Sequence, residues 1–343
     1  MKAAILNAPD QLTVEDIPEP QAEPGDLILK MRAATICGTD IRIYRGRKTA
    51  GVRYPSVIGH EFSGEVVVAA GGFSLGQRVS VCPPIPCGGC IYCQRGLENL
   101  CPNLQAIGYE IDGGFAEYIR IPARAVEMGN AFALPRHVSY EEAALIEPLA
   151  CVLNGQNKVN LGLGETVAIL GSGPIGTLHI KLARLRGAGR ILVSEPNPAR
   201  RQIALEAGAD VVIDPDACDL REAVLAETGG LGADVVICAI GIPALASQAI
   251  GLARKAGRIS LFAGFSKGEQ SALDVNAIHY DELVVTGAFG LSRRDYGDSM
   301  NLIADGRIDV ASMVSHRFNL AECVDAFHAA ENGDAIKVAV LNA

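Results

Sequence analysis

The sequence predicts an α/β chain of two domains, a barrel-like antiparallel β domain and a doubly wound parallel sheet, and three observations carry that expectation. Its 343 residues exceed what one hydrophobic core usually spans. Short β-type runs punctuated by Gly and Pro dominate the first 150 residues, whereas strand-like and helix-like runs alternate after Pro148. A composition that is 49% hydrophobic and 20% charged supplies enough apolar surface to offset chain entropy, which excludes a disordered chain.

Residues 3–6, 27–30, 64–68 and 78–81 read as strands of the first domain, and long stretches of 3.6-residue period are scarce among them. From residue 166, the buried-type runs 166–170, 190–193, 210–213, 234–237, 258–262 and 283–286 are separated by amphipathic stretches such as 176–186 and 198–207. Near-continuous apolar runs alternating with helices suit strands covered on both faces, hence a parallel sheet. A helix over 292–304 and mixed segments follow. The expected domains are 1–148, completed by 289–343, and 149–288. No Ser- and Pro-rich linker separates them, so they are expected to be tightly joined, with the site in the cleft at the carboxyl ends of the strands.

Thirty basic against 39 acidic residues give a formal charge of −9 without a basic stripe, which argues against nucleic acid and anionic membranes as partners. No run approaches the roughly 18 apolar residues of a membrane span, and the N-terminus reaches Asp10 without a signal-type apolar region, so a cytoplasmic protein is expected. Ten unevenly spaced cysteines in such a chain point to metal binding or catalysis rather than disulfides.

Gly171-Ser172-Gly173-Pro174-Ile175-Gly176 fits G-x-G-x-x-G between a buried-type strand and a helical pattern. The first glycine permits the tight turn, the second lets the backbone approach a pyrophosphate, and the third allows close helix–strand packing. Glu195, at the end of the next strand, could accept hydrogen bonds from an adenosine ribose and would repel a 2′-phosphate, which favours NAD over NADP. Arg200 keeps NADP open, through either the adenine or a 2′-phosphate.

Cys87, Cys90, Cys93 and Cys101 form C-x2-C-x2-C-x7-C in a loop rich in Pro and Gly. Four thiolates at that spacing can close a tetrahedron around zinc; an iron–sulfur cluster is the alternative. Cys82 falls outside the spacing and reads as core. A dispersed second group comprises Cys37, His60, Glu61 and Glu147, a thiolate, imidazole and carboxylate set that suits a catalytic zinc with one open position. Taken singly, each of these residues has an ordinary packing role as its alternative.

Cys37-Gly38-Thr39-Asp40, Gly59-His60-Glu61, the four-cysteine loop, Glu147-Pro148 and Gly171 to Gly176 together resemble, in order and approximate spacing, the zinc-dependent medium-chain dehydrogenases. Glu147 before proline is similar to the sorbitol (polyol) and threonine dehydrogenase branches. The resemblance implies a GroES-like catalytic domain joined to a Rossmann domain. It implies a catalytic zinc held by Cys37, His60 and either Glu61 or Glu147, with Asp40 behind the imidazole, and a structural zinc on the four cysteines. Thr39 would relay the proton of an alcohol, and hydride would pass to NAD. Cofactor contacts implied in the same way are Ile175, Ala263, Gly264, Phe265, Ala288 and Phe289, with Lys337 at the pyrophosphate or merely exposed. The family also suggests a homodimer or homotetramer.

Two departures bear on substrate. Arg42 stands where many relatives have a proton-relaying histidine; a permanently charged arginine relays poorly and better suits a ribose or pyrophosphate contact. Phe289-Gly290 lacks the following arginine of sorbitol-type members; Arg293 and Arg294 lie beyond it, either as anion contacts or as a solvated helix start. The expected activity is zinc- and NAD-dependent oxidation of a secondary alcohol, a polyol or sugar-related compound. Threonine-type or sugar-phosphate oxidation is the enzymatic alternative, and an inactive NAD-binding regulator is the alternative of another class.

Overall fold

The computed structural model describes residues 1–265, 268–333 and 335–342. The chain divides into two compact units, residues 1–150 with 291–343, and residues 151–290. No helix among the described residues is long and apolar enough to cross a membrane.

The first unit opens with β1 (Lys2–Ala8) and β2 (Gln11–Asp16), an antiparallel hairpin, followed by β3 (Leu27–Thr35), β4 (Ser56–Val57), β5 (Glu61–Val68) and β6 (Arg78–Val81). The pair β7 (Pro84–Ile85) and β8 (Gln105–Ala106) closes the base of the loop that carries the four cysteines. β9 (Tyr118–Ile121) and β10 (Ala131–Ala133) complete the N-terminal strands.

In the second unit, β11 (Thr166–Leu170), β12 (Arg190–Ser194), β13 (Val211–Ile213), β14 (Ala233–Cys238), β15 (Ala253–Leu261) and β16 (Val284–Gly287) form one parallel sheet in the order β13-β12-β11-β14-β15-β16. Val167, Ile169, Ile191, Val193, Val235 and Ile237 pack into one apolar cluster, while Ala168, Leu170, Leu192, Val236 and Cys238 pack into another. This period-two division is what a sheet buried on both faces requires. The order reverses between β11 and β14, so a crevice opens at their carboxyl ends.

The chain then returns to the first unit through the helix Arg293–Ala304, whose Ser292 and Asp295 form a capping box. Its last strands, β17 (Val314–Asn319) and β18 (Lys337–Leu341), extend the main sheet to β10-β6-β5-β3-β18-β17, with β9 also on β3. The named strands within residues 1–150 pair antiparallel, as expected, whereas the later β17–β18 pair is parallel because the helix Cys323–Glu331 carries the chain back between them. Against this sheet Phe62, Phe115 and Phe327 are fully buried, Phe115 and Phe327 edge to face at 5.4 Å.

Candidate active site

Cys37 lies just after β3 at the start of the short helix Gly38–Tyr44, and its backbone N–H donates to Asp40 Oδ2 at 2.9 Å. Asp40, fully buried, turns its other oxygen to His60 Nδ1 at 3.2 Å. That contact orients the ring and directs Nε2 away from the carboxylate. His60 is delivered by Gly59, whose φ of +98° disfavours other residues and whose missing Cβ would lie 2.7 Å from the Phe115 ring. One donor atom each from Cys37, His60 and Glu61 fall within 4.8 Å of one another. Burial opposes a charged His60, but the fields of Tyr109, Asp40 and Cys37 outweigh it and raise the imidazole pKa well above its ordinary value. A pocket offering sulfur, imidazole and carboxylate fits a divalent ion of borderline softness.

Glu61 is itself held. Its carboxylate accepts from Lys337 Nζ at 2.8 Å and from the Thr35 hydroxyl, and all three side chains are buried. Burial pulls the Lys337 ammonium pKa down, yet the neighbouring Glu61, Cys37 and Glu147 hold it above the usual lysine value. Glu147 sits in the first turn of the helix Ile146–Lys158, 8% exposed, outside the close set of three. Thr39 is half-buried beside Asp40.

The four sulfurs of Cys87, Cys90, Cys93 and Cys101 converge within 4.8 Å. Cys90 and Cys93 Sγ are 3.4 Å apart and Cys87 and Cys93 Sγ 3.9 Å, close to the ~3.8 Å between sulfurs on a tetrahedral zinc. The thiols are free, and the Cys87 N–H donates to Cys101 Sγ at 3.3 Å. Amides of Gly89 and Cys90 bring the Cys87 pKa down to about 6, whereas burial and the Cys90 thiol push that of Cys93 up to about 12, so Cys87 is the thiol that ionises first of the two. The arrangement fits a closed four-sulfur metal site.

In the second unit, the glycine loop runs from the end of β11 into the helix Pro174–Leu185. A Cβ on Gly176 would sit 2.0 Å from the Gly171 carbonyl oxygen, so the helix can lie this close to the strand only with glycine there. A Cβ at Gly173 would meet nothing nearer than Arg200 Nη1 at 4.0 Å, which leaves room for a phosphate group against the backbone. Glu195 follows β12 and is buried, accepting from the Ser172 N–H at 2.8 Å and the Asn197 N–H at 3.0 Å. The carboxylate thereby braces the loop.

Residues 23–129 match the alcohol dehydrogenase GroES-like domain and residues 174–305 match the zinc-binding dehydrogenase family. A sorbitol dehydrogenase of Bacillus subtilis is 31% identical over 96% of this chain and 93% of its own length. An L-threonine 3-dehydrogenase of Pyrococcus furiosus is 36% identical over 90% of this chain and 88% of its own. The chain belongs to the zinc-dependent medium-chain dehydrogenases, in the sorbitol and threonine branch. A zinc-binding dehydrogenase from Sinorhizobium meliloti, crystallised with NADP, superimposes with a TM-score of 0.93 at 35% identity and covers 99% of both chains.

In the present chain Ala263, Gly264 and Phe265 follow β15, and Ala288 and Phe289 follow β16, so they share the carboxyl edge of the sheet with the glycine loop and Glu195. Phe289 is 65% exposed, and the Asn154 side chain holds the adjacent Gly290 carbonyl at 2.9 Å. Ile175 is in the first turn of the loop's helix. Lys337 is neither exposed nor free for a pyrophosphate: it is committed to Glu61, because a buried carboxylate demands a counter-charge. Arg293 is not a solvated helix start, since its Nε reaches both Glu98 oxygens at 3.1 Å and so ties the cysteine loop to the returning helix. Arg294, 91% exposed on its side chain, is one. Sequence reasoning missed Tyr109, whose ring lies 5.2 Å from His60, and the Thr35–Glu61–Lys337 set. The one available signal was a lysine interrupting the apolar run that became β18.

Proposed function

We propose that this chain is an NAD-dependent, zinc-assisted dehydrogenase of secondary alcohols, acting on a polyol or sugar-related compound. The convergence of Cys37, His60 and a carboxylate, with Asp40 fixing the imidazole, carries the reading. Cys37, His60 and either Glu61 or Glu147 would hold a catalytic zinc, and Cys87, Cys90, Cys93 and Cys101 a structural one. When bound, such an ion acidifies a hydroxyl on it, and NAD supplies the hydride acceptor. Asp40 keeps the His60 tautomer fixed. Thr39 Oγ1 would take the substrate proton while donating its own to solvent water, the dual capacity of a hydroxyl. The glycine loop binds the pyrophosphate, Glu195 the adenosine ribose, and Ala263, Gly264, Phe265, Ala288 and Phe289 border the rest of the dinucleotide.

The test is NADH formation across polyols, sugar phosphates and threonine; stoichiometric NAD binding with no turnover on any would sink the reading and favour a regulator. The threonine dehydrogenase relatives support a second reading, oxidation of an amino alcohol, which the same panel decides.

Two further outcomes are expected. Glu195→Ala lowers the ratio of kcat/KM with NAD to that with NADP by about tenfold or more, because a carboxylate beside the ribose discriminates against a 2′-phosphate; an unchanged ratio contradicts the ribose role. Cys93→Ser removes one of two zinc equivalents and lowers the unfolding temperature, since structural zinc contributes folding energy. Metal analysis and calorimetry check both, and full zinc retention would count against the site.

A further inference from the structure

Lys48 follows the helix Gly38–Tyr44 in a turn where the backbone N–H groups of Arg47 and Lys48 donate to the Arg42 carbonyl at 2.8 and 3.1 Å. This folds a second cationic residue back against Arg42. Rather than extending into solvent, the Lys48 side chain is half-buried, with Nζ 4.8 Å from the centre of the Tyr109 ring and donating to the Ala50 carbonyl at 3.2 Å. Tyr109 in turn lies against His60, its ring 5.2 Å away, and its phenol feels the charges of His60, Cys37, Asp40 and Glu147. The ammonium is therefore one aromatic ring removed from the candidate metal ligands.

A carbonyl and a π face compensate the charge of this half-buried ammonium only in part. Burial pulls the Lys48 pKa below its ordinary value; Glu110 opposes this and Arg42 adds to it. Glu110 is itself engaged by the Ala106 N–H at 2.9 Å.

We propose that Lys48 is a substrate-recognition residue, binding an anionic group, carboxylate or phosphate, on the hydroxy compound whose alcohol is oxidised at Cys37 and His60. The inference rests on the alcohol-oxidising reading above and narrows its substrate class. Arg42, which cannot relay a proton, adds positive potential that reaches Lys48.

The experiment compares kcat/KM for sorbitol, sorbitol 6-phosphate and gluconate in the wild type, Lys48→Met and Lys48→Arg. Separately from turnover, calorimetry measures inorganic phosphate and gluconate binding to the zinc-loaded protein. The wild type is expected to prefer one anionic compound over sorbitol by about 10- to 100-fold, the scale of a charge-assisted hydrogen bond. Which anion is preferred separates phosphate from carboxylate. Lys48→Met should collapse that ratio and the calorimetric binding, and Lys48→Arg should restore most of both. Wild-type preference for sorbitol, a ratio unchanged in Lys48→Met, or a rise confined to the KM for NAD would each overturn the proposal. If no compound turns over, the alcohol reading fails, and Lys48-dependent anion binding then sustains the anion site alone; binding equal in wild type and Lys48→Met overturns that site too.

Discussion

Cys37→Ser is expected to abolish NADH formation, by about three orders of magnitude or more, and to release one zinc equivalent while the four-cysteine loop keeps the other. The hydroxyl that replaces the thiol is not ionised near neutral pH, so it offers an ion neither the charge nor the polarisability of a thiolate. The substitution leaves Asp40 in contact with the residue 37 backbone amide and with His60, so the local fold should survive. Three readouts separate the outcomes: turnover, zinc content, and dinucleotide binding followed by fluorescence. Turnover and metal should fall together while dinucleotide affinity persists, because the glycine loop belongs to the other unit. A Cys37→Ser protein that retains two zinc ions and full rate would remove the sulfur from the site.

In the metal-free protein, Lys337→Met should cost about 3–5 kcal/mol of stability, the penalty for leaving the buried Glu61 charge uncompensated. Both partners are almost wholly withdrawn from solvent, with side-chain exposures of 3% and 1%, so water cannot take over for the lost ammonium. Adding Glu61→Gln to Lys337→Met should recover much of the loss, since the remaining amide needs only hydrogen bonds and Thr35 still provides one partner. Urea denaturation of wild type, both single variants and the double variant closes the cycle. Additive losses would mean that the pair is not coupled.

The parts legible in the sequence were those encoded over short spans. The cysteine spacing, the glycine loop with the acid of the next strand, and the alternation of buried runs with amphipathic helices each lie within a few tens of residues, and the parallel sheet follows from them. What escaped was long-range pairing. Glu61 and Lys337 are 276 positions apart, and Arg293 and Glu98 are 195 apart. No local pattern links such partners, because each is chosen by the burial of the other. Tyr109 escaped for a related reason, since only the folded loop brings an aromatic ring beside His60.

The distance along the chain between Glu61 and its cation also sets an order of events during synthesis. A ribosome adds about 5–20 residues per second, so Glu61 emerges many seconds before β18 can deliver Lys337. Until then the carboxylate must stay hydrated or borrow another cation, and the strand carrying it cannot settle into its final dry environment. The surroundings of Glu61 are thereby completed only once β18 has been made, whereas Cys87, Cys90, Cys93 and Cys101, confined to a short span of sequence, can converge while later strands are still missing.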